Sequence, residues 1–359
     1  MLTGNKGEWS EVYTFFKLMA EGRLYAADAD LNKIESIYYP IIKILRNQLD
    51  NNLEYIRNGV IRLVNGTTGE EVLNIEVAEF AENANVLLNR IRNSTGAFSV
   101  PDIQDFLDKI NCDKLKASSS DKSDITIVVH DFNTGMNPEL RFSIKSRLGN
   151  PSTLLNASSA TNFIYKIKGT LTDEEISMIN SLSSHSKIRD RLLKIEEKGC
   201  TFEFLKVEKE IFNLNMQLID SNLPIIISHI LLYYYKGVAN KLSELIDIVQ
   251  AANPCNYQLE YNHSFYHYKF KAFITDIALG MTPASVWNGV YDANGGYIVV
   301  KENGDVLCYH IYNRNEFQDY LIKNTKLETP SSTRHKFGEI YKVNDELYFK
   351  LNLQIRFIN

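Results

Sequence analysis

Three polar residues, Asp124, Ser143 and Lys145, lie at the ends of two neighbouring strands that the sequence predicts. An aspartate carboxylate, the backbone carbonyl near Ile144, a phosphate oxygen and waters can complete the octahedral oxygen shell that Mg²⁺ requires. A lysine beside that ion can orient or deprotonate the attacking water and offset the charge that builds on phosphorus. The chemistry that these residue types predict is metal-assisted phosphodiester hydrolysis. The alternative is that Asp124 only caps a strand.

The spacing of these residues matches the hairpin of PD-(D/E)XK nucleases, in which a lysine follows an acidic residue by two positions. Ser143 stands in place of that acid, so the site lacks one carboxylate. Glu8 and Glu11 share a helix face, and a helix packed beside the hairpin could supply one of them. The alternative is that both are first-turn charges favoured by the helix dipole. The predicted catalytic residues are Asp124, Ser143, Lys145, Glu8 and Glu11, with Asp124 and Glu11 as metal ligands.

The strands that must position this site show a clear alternation of apolar and polar side chains. Residues 125–129 and 140–145 alternate apolar and polar side chains, which predicts two strands and places Ser143 and Lys145 on one face. Asparagine, glycine and proline within residues 132–139 predict the turn between the strands. A short polar linker, residues 117–123, precedes the hairpin.

The rest of the chain reads as helices first and strands later, which predicts an α/β or α+β fold. Apolar spacing predicts helices at residues 9–19, 34–45, 70–91, from Ile103, from residues 149–152, at 172–197 and in segments up to Val249. Short aromatic and apolar runs predict strands at residues 261–273, 296–300, 306–311, 339–341 and 347–357.

Charge is distributed unevenly along the 359 residues. The formal net charge of −5 argues by itself against a nucleic-acid partner, because phosphate binding needs clustered Lys and Arg. Residues 141–170, however, carry a net +5, and residues 323–359 carry a net +3. Each stretch is either a DNA-binding surface or an ordinary solvated face.

Several classes of protein are disfavoured by what the sequence lacks. The four cysteines lie far apart without metal-ligand spacing, which argues against zinc and disulfides and favours a reducing, cytoplasmic location. The longest apolar run, residues 223–235, is shorter than the about 20 residues that cross a bilayer, and the N-terminus has no signal-peptide pattern, so no membrane association is expected. No motif for a nucleotide-driven motor or for dinucleotide binding occurs.

Motifs along nearly the whole chain resemble those of type II restriction endonucleases of the HpaII family. They are residues 5–11 (NKGEWSE), 32–35 (NKIE), 38–40 (YYP), 142–149 (FSIKSRLG), 153–156 (TLLN), 161–163 (TNF), 308–314 (CYHIYNR) and 351–357 (LNLQIRF). The resemblance implies a PD-(D/E)XK core with a central mixed sheet and Mg²⁺-dependent cleavage of double-stranded DNA at CCGG. It also implies a cognate DNA methyltransferase as functional partner. Related nucleases replace the acid of the motif with an amide or hydroxyl residue, as Ser143 does here.

On this interpretation the chain has three parts. The first is a nuclease core at residues 1–170, which contains N-terminal helices and the hairpin of residues 124–146. The second is a helical lobe or insertion at 171–255, and the third is a β-rich part at 256–359 for DNA recognition and completion of the core.

Guanine is most often recognised by Arg or Lys. The candidates for recognition are Arg314 in a polar cluster with His310, and the loop residues Arg334, His335 and Lys336. The alternatives are a buried structural histidine and a surface turn. Candidates for other DNA contacts are Arg141, Ser146, Arg147, Asn156 and Asn162, the two asparagines having helix capping as their alternative.

Three functions compete. A site-specific endonuclease acting on a palindrome is expected to be a homodimer, although a monomer that cuts one strand at a time also fits. A DNA-binding protein whose nuclease site has decayed would bind a specific sequence without cutting. A structure-selective repair nuclease would cut flaps or junctions without sequence preference.

Overall fold

The computed structural model describes residues 1–47, 52–116 and 123–358. The chain forms two compact units, unit 1 with Met1–Ser152 and Tyr291–Tyr320, and unit 2 with Thr153–Val290 and Leu321–Ile358. This division differs from the three consecutive parts expected from the sequence, because the last third of the chain contributes to both units. Most of the predicted linker, residues 117–122, lies outside the described residues.

The described residues contain both short strands and helices throughout the chain. The strands are β1 (Thr3–Gly4), β2 (Arg23–Ala27), β3 (Lys33–Asn47), β4 (Asn52–Asn58), β5 (Val60–Asn65), β6 (Glu71–Ile75), β7 (Phe98–Ser99), β8 (Ile125–Val129), β9 (Glu139–Ser146), β10 (Thr153–Leu155), β11 (Asn162–Lys168), β12 (Thr201–Val207), β13 (Gly296–Val300), β14 (Val306–His310), β15 (Thr325–Leu327), β16 (Ile340–Val343), β17 (Glu346–Asn352) and β18 (Ile355–Phe357). The α-helices are α1 (Lys6–Glu21), α2 (Val77–Asn93), α3 (Gln104–Lys109), α4 (Asp173–Ser181), α5 (Lys187–Glu197), α6 (Glu210–Ile219), α7 (Leu223–Tyr235), α8 (Leu242–Ala252), α9 (Phe265–Leu279), α10 (Arg314–Lys323) and α11 (Ser332–His335).

The main element of unit 1 is a mixed sheet with the strand order β2-β14-β13-β9-β8-β3-β4-β5-β6. The pairs β9–β13 and β2–β14 are parallel and the other pairs are antiparallel. Strand β2 also pairs with the first part of β3, so six strands close into a ring. Pro40 lies where β3 leaves β2 and joins β8, a position at which a missing backbone N–H is tolerated.

The core of unit 1 fixes α1 against this sheet. Trp9, Phe15 and Phe16 lie on the buried face of α1, and the Phe16 ring packs edge-on against Phe80 of α2 and Phe106 of α3 at centroid distances of 5.7 and 5.2 Å. Burial of such side chains supplies about 1.5–3 kcal/mol each. The first helix therefore has a fixed position beside β9, where the predicted hairpin residues lie.

Unit 2 contains two smaller sheets, with strand orders β12-β11-β17-β16 and β10-β18-β15. Helices α4 to α9 and α11 belong to this unit. Its buried polar side chains include Asn162 on β11 and Asn352 on β17, which lie opposite each other in the register of the two strands.

The N-terminal third is not largely helical as predicted. Residues 34–45, expected to form a helix, belong to β3, because this segment is rich in isoleucine and tyrosine and contains Pro40. Residues 71–75 at the start of another predicted helix form β6, and α2 begins only at Val77. The helix expected from residue 103 is present as α3 with a preceding 3-10 turn.

Two further predictions are wrong in the second half of the chain. Residues 149–152 do not start a helix, since the Asn150-Pro151 pair favours extended backbone and is followed by β10. Residues 261–273 were expected to form a strand, yet α9 begins at Phe265. Its buried residues Tyr266, Phe270 and Phe273 recur at helical spacing, and their aromatic character masked that period.

Candidate active site

The hairpin of β8 and β9 brings Asp124, Ser143 and Lys145 together at one end of the unit 1 sheet. Ile125 pairs with Phe142, and the Asp124 N–H donates to the Phe142 carbonyl at 2.9 Å, so Asp124 continues the ladder. Its carboxylate oxygen Oδ2 accepts hydrogen bonds from the Ser143 hydroxyl at 3.1 Å and from the Ile144 N–H at 2.6 Å. Ser143 therefore holds the aspartate in place instead of supplying a second carboxylate.

Helix α1 places Glu8 and Glu11 differently. Asn5 caps the helix by accepting from the Gly7 and Glu8 N–H groups, and Glu8 accepts from the Asn5 N–H at 2.9 Å, which completes a capping box. Glu8 also pairs with Lys116 at 2.8 Å. The hydrogen bond from Lys116 and that from Asn5 lower the pKa of Glu8. The Glu8 carboxylate thus caps the start of α1 and pairs with Lys116.

Glu11 instead lines a cavity of about 770 Å³ in unit 1 together with Asp124 and Lys145. Its Oε2 atom is shielded from solvent. Helix α1 is tied to β9 nearby, since the hydroxyls of Ser10 and Ser146 are 2.7 Å apart. The remaining lining residues are Asn5, Lys6, Gly7, Thr95, Gly96, Ile144, Ser146, Leu148, Gly149, Asn150 and Ser152. The cavity therefore combines two carboxylates, Glu11 and Asp124, with two lysines, Lys6 and Lys145.

Two opposing effects act on the pKa of Lys145. Burial lowers the pKa of its ammonium group, while the negative charges of Asp124 and Glu11 raise it, and the net pKa is lowered. Its Nζ atom lies 5.1 Å from the centre of the Tyr297 ring. Burial thus raises the neutral fraction of this amine above that of a lysine in water.

The donor set suits a hard cation that keeps much of its water. Among the described residues there is no group of three or more His, Cys, Asp or Glu side chains that could hold a metal ion. The cavity is lined by the carboxylate residues Asp124 and Glu11, and by Ile144. Mg²⁺ is commonly bound through one or two carboxylates, waters and substrate phosphates, so these residues fit it. They do not resemble a zinc site, which uses histidine or cysteine.

The predicted DNA-binding residues of unit 1 have different surroundings. Arg141 is exposed and lies 4.0 Å from Glu139, and Arg314 is exposed at the first turn of α10. Ser146 accepts from the Leu148 N–H at 3.2 Å, in addition to its contact with α1. Arg147 lines a second cavity of about 330 Å³ with Leu31, Lys301, Glu302 and Asn303.

His310 is a buried structural residue, as the alternative interpretation held. Its ring lies 5.0 Å from the ring of Tyr39, and its Nδ1 atom accepts from the Tyr312 N–H at 3.1 Å. Burial lowers the pKa of His310 to about 4, although the nearby Asp131 carboxylate acts in the opposite direction. The imidazole is therefore neutral near pH 7 and is not placed to contact DNA.

In unit 2, Arg334, His335 and Lys336 lie at the end of the short helix α11, with both cations exposed. Asn156 is exposed as well. Asn162, in contrast, is inaccessible to solvent and donates to the Glu208 carboxylate at 2.7 Å and the His335 carbonyl at 2.9 Å. It fastens β11 to the last residue of α11, so it cannot contact DNA in this structure.

Sequence reasoning did not single out Lys6 or Tyr297, which lie at the active-site cavity and against Lys145. Lys6 stands within the quoted 5–11 motif, but its orientation depends on the helix cap. Tyr297 follows the pair Gly295-Gly296, and such a glycine pair before a predicted strand signals a close approach of backbones.

Comparison with known proteins identifies the family. The model of the HpaII restriction endonuclease family matches residues 5–357. The chain is also 49% identical over 358 residues, 99% of either sequence, to the type II restriction enzyme HpaII of Haemophilus parainfluenzae. The chain belongs to the HpaII restriction endonuclease family. Membership of the HpaII family confirms the resemblance seen in the motifs and makes this protein a site-specific deoxyribonuclease that acts on double-stranded DNA.

Type II restriction endonucleases generally use divalent metal ions, which agrees with the carboxylates of the cavity. No solved structure matches the chain of this HpaII family member. Within the described ranges, no helix is long and apolar enough to span a bilayer.

Proposed function

We propose that this enzyme makes Mg²⁺-dependent double-strand cuts at the palindrome CCGG, and that the unit 1 cavity is its active site. The observation that carries the proposal is the convergence of Asp124, Glu11 and Lys145 on one cavity. The paired carboxylates and lysine match the chemistry of phosphodiester hydrolysis, and the mixed sheet with its β8–β9 hairpin supports a PD-(D/E)XK core.

The metal ligands in this proposal are the side chains of Asp124 and Glu11 and the Ile144 carbonyl. When bound, Mg²⁺ supplies a positive charge that polarises the scissile phosphate. The Ser143 hydroxyl and the Ile144 N–H keep the Asp124 carboxylate in one orientation. Lys145 orients the attacking water and takes part in its deprotonation, which its lowered pKa favours. Glu11 supplies the second carboxylate that Ser143 does not.

Recognition of a G·C-only site requires donors to guanine O6 and N7. We assign this role to the exposed cations Arg314, Arg334 and Lys336, with His335 beside them, and assign contacts with the DNA backbone to Arg141, Arg147 and Asn156. Ser146 is a neighbour of the scissile phosphate. Because the palindrome has two-fold symmetry, the enzyme acts as a homodimer. It acts in the cytoplasm, where a cognate methyltransferase protects the host DNA from cleavage.

Digestion of a plasmid of known sequence tests this function. With Mg²⁺ the purified protein is expected to give discrete fragments whose sequenced ends all fall within CCGG, and with EDTA none. Ends within another palindrome would overturn the assigned site. A specific gel shift without cutting would identify the non-cutting DNA binder, and cuts confined to flaps or junctions would identify the repair nuclease.

A further inference from the structure

Tyr297 is a large, fully buried side chain that the proposed chemistry does not use. It is the second residue of β13, which runs parallel to the catalytic strand β9 with Tyr297 opposite Ser143 and Val299 opposite Lys145. Side chains at paired positions of neighbouring strands lie on the same face of the sheet. The Tyr297 ring therefore lies next to the side chains that line the active site, and the Lys145 Nζ atom is 5.1 Å from its centre.

The backbone of β13 is held unusually close to its neighbours just before this residue. A Cβ atom at Gly296, whose φ is +101°, would lie 2.1 Å from the Tyr309 carbonyl oxygen. A Cβ atom at Gly295 would lie 2.8 Å from the Phe142 ring, and the Gly295 N–H donates to the Arg141 carbonyl at 2.8 Å. The two glycines thus let β13 lie close to both of its neighbours, Gly295 against β9 and Gly296 against β14, which fixes where the Tyr297 side chain starts.

A second ring prevents the Tyr297 side chain from turning away. Phe317 of α10 is fully buried, and its ring centre is 5.3 Å from that of Tyr297 at an interplanar angle of 60°. Such tilted pairs are a favoured aromatic arrangement. Phe317 therefore restricts the orientation of the Tyr297 ring that meets Lys145.

We infer that Tyr297 is a positioning residue that holds the Lys145 ammonium group toward the active-site cavity through contact with its aromatic face. A lysine side chain has four rotatable bonds, and a cation within about 6 Å of an aromatic centre is attracted to the ring face. This contact restricts the positions that the ammonium group can take. The inference rests on the proposed active site, in which Lys145 serves the attacking water.

The test compares Tyr297→Phe, which keeps the ring, with Tyr297→Leu, which removes it. Single-turnover cleavage of a CCGG duplex is measured with Mg²⁺, and the dissociation constant of the same duplex is measured with Ca²⁺. We expect Tyr297→Leu to slow cleavage about tenfold with DNA affinity changed less than about twofold, and Tyr297→Phe to cut within about twofold of the wild-type rate. Phe80→Leu is the matched control, because it removes another fully buried ring of unit 1, one that packs against Phe16 and Phe106.

Equal slowing by Tyr297→Leu and Phe80→Leu would show that the loss of core packing alone slows cleavage and would overturn the inference. So would cleavage by Tyr297→Leu at the wild-type rate. If Tyr297→Leu does not fold, pentafluorophenylalanine at position 297 keeps the shape of phenylalanine and reverses the charge distribution of the ring. It should cut about tenfold slower than Tyr297→Phe, and an equal rate would contradict the inference. Failure of the wild-type protein to cut would instead refute the proposed function.

Discussion

At the scale of single residues, the chain compensates for a missing acid. The hairpin has serine where the nuclease pattern has a carboxylate, and the Ser143 hydroxyl donates to Asp124. The second carboxylate in the cavity is that of Glu11, which comes from a helix distant in sequence. Sequence spacing identified both glutamates of α1 but could not choose between them, because the choice depends on the Asn5 cap and the ion pair with Lys116.

Replacing Glu11 and Glu8 one at a time separates the proposed role in cleavage from the role in helix capping. Glu11→Gln is expected to slow Mg²⁺-dependent cleavage by at least about a hundredfold, because it removes a negative charge from the proposed metal site. Glu8→Gln is the matched control on the same helix. It should cut within about threefold of the wild-type rate and cost about 1 kcal/mol of stability through the weakened capping box.

Single-turnover cleavage rates and thermal unfolding of both variants measure these two effects. The assignment of Glu11 would be wrong if the two variants exchanged these effects, with Glu8→Gln inactive and Glu11→Gln active.

At the scale of elements, the hairpin of β8 and β9 was the most predictable part of the molecule. Its strands alternate strictly and its turn contains asparagine, glycine and proline, so β8 and β9 lie within a residue or two of the predicted ranges. Strand β3 was not predictable in the same way. It is buried unevenly because it pairs with β2 and then with β8, and its apolar residues thereby imitate helical spacing. The secondary structure of such a segment is decided by pairing with strands distant in sequence, and the local sequence does not contain that information.

The close seating of β13 predicts the effect of one glycine substitution. Gly296→Ala combines a positive φ with a clash against the Tyr309 carbonyl and should lower the free energy of unfolding by about 3 kcal/mol or more. Gly59→Ala is the control, because Gly59 also has a positive φ, of +75°, but a Cβ atom there would meet nothing within 4 Å. It should cost only about 1–2 kcal/mol.

Urea unfolding of the two variants measures the difference. Equal costs would mean that backbone conformation alone matters at position 296 and that the approach of β13 to β14 is not tight.

At the scale of the whole molecule, several of the DNA contacts that we propose come from cations that lie far from the cavity residues in sequence. Exposed cations at the end of α11 belong to unit 2, whereas the residues of the proposed active site belong to unit 1. The acidic net charge of the chain therefore hides local basic segments. Composition alone pointed away from nucleic acid, and the uneven distribution of charge pointed back toward it.

The salt dependence of DNA binding tests the proposed role of the α11 segment. Arg334→Gln and Lys336→Gln should each reduce the slope of log K against log salt concentration by about 0.9 if the side chain meets a phosphate. A base contact should instead lower affinity for the cognate duplex by about 1–3 kcal/mol and spare binding to other sequences. Lys198→Gln is the control, since Lys198 is a cation of unit 2 that pairs with Glu175 at 2.7 Å.

Fluorescence anisotropy with cognate and scrambled duplexes distinguishes these outcomes. Wild-type affinities and slopes in both cation variants would remove α11 from the DNA-binding surface.

Acid stability should report on His310. Its pKa is about 4 in the folded protein, against about 6.5 in an unfolded chain, so the unfolded state binds the proton first as the pH falls. The stability that this difference provides is complete above about pH 6.5 and is lost as the pH falls toward 4, by about 3 kcal/mol in all. His310→Asn should flatten this part of the profile, while substitution of the exposed His185 should not.

The profile is obtained from urea unfolding between pH 4 and 7. A slope that is unchanged in His310→Asn would show that other groups cause the acid sensitivity.

The most direct test of the central claim is cleavage of two short duplexes that differ only in one site, CCGG in one and GGCC in the other. The wild-type protein with Mg²⁺ is expected to cut both strands of the first duplex and to leave the second intact, and Lys145→Ala should cut at least about a hundredfold more slowly. Equal cleavage of both duplexes, or a wild-type rate for Lys145→Ala, would contradict the account.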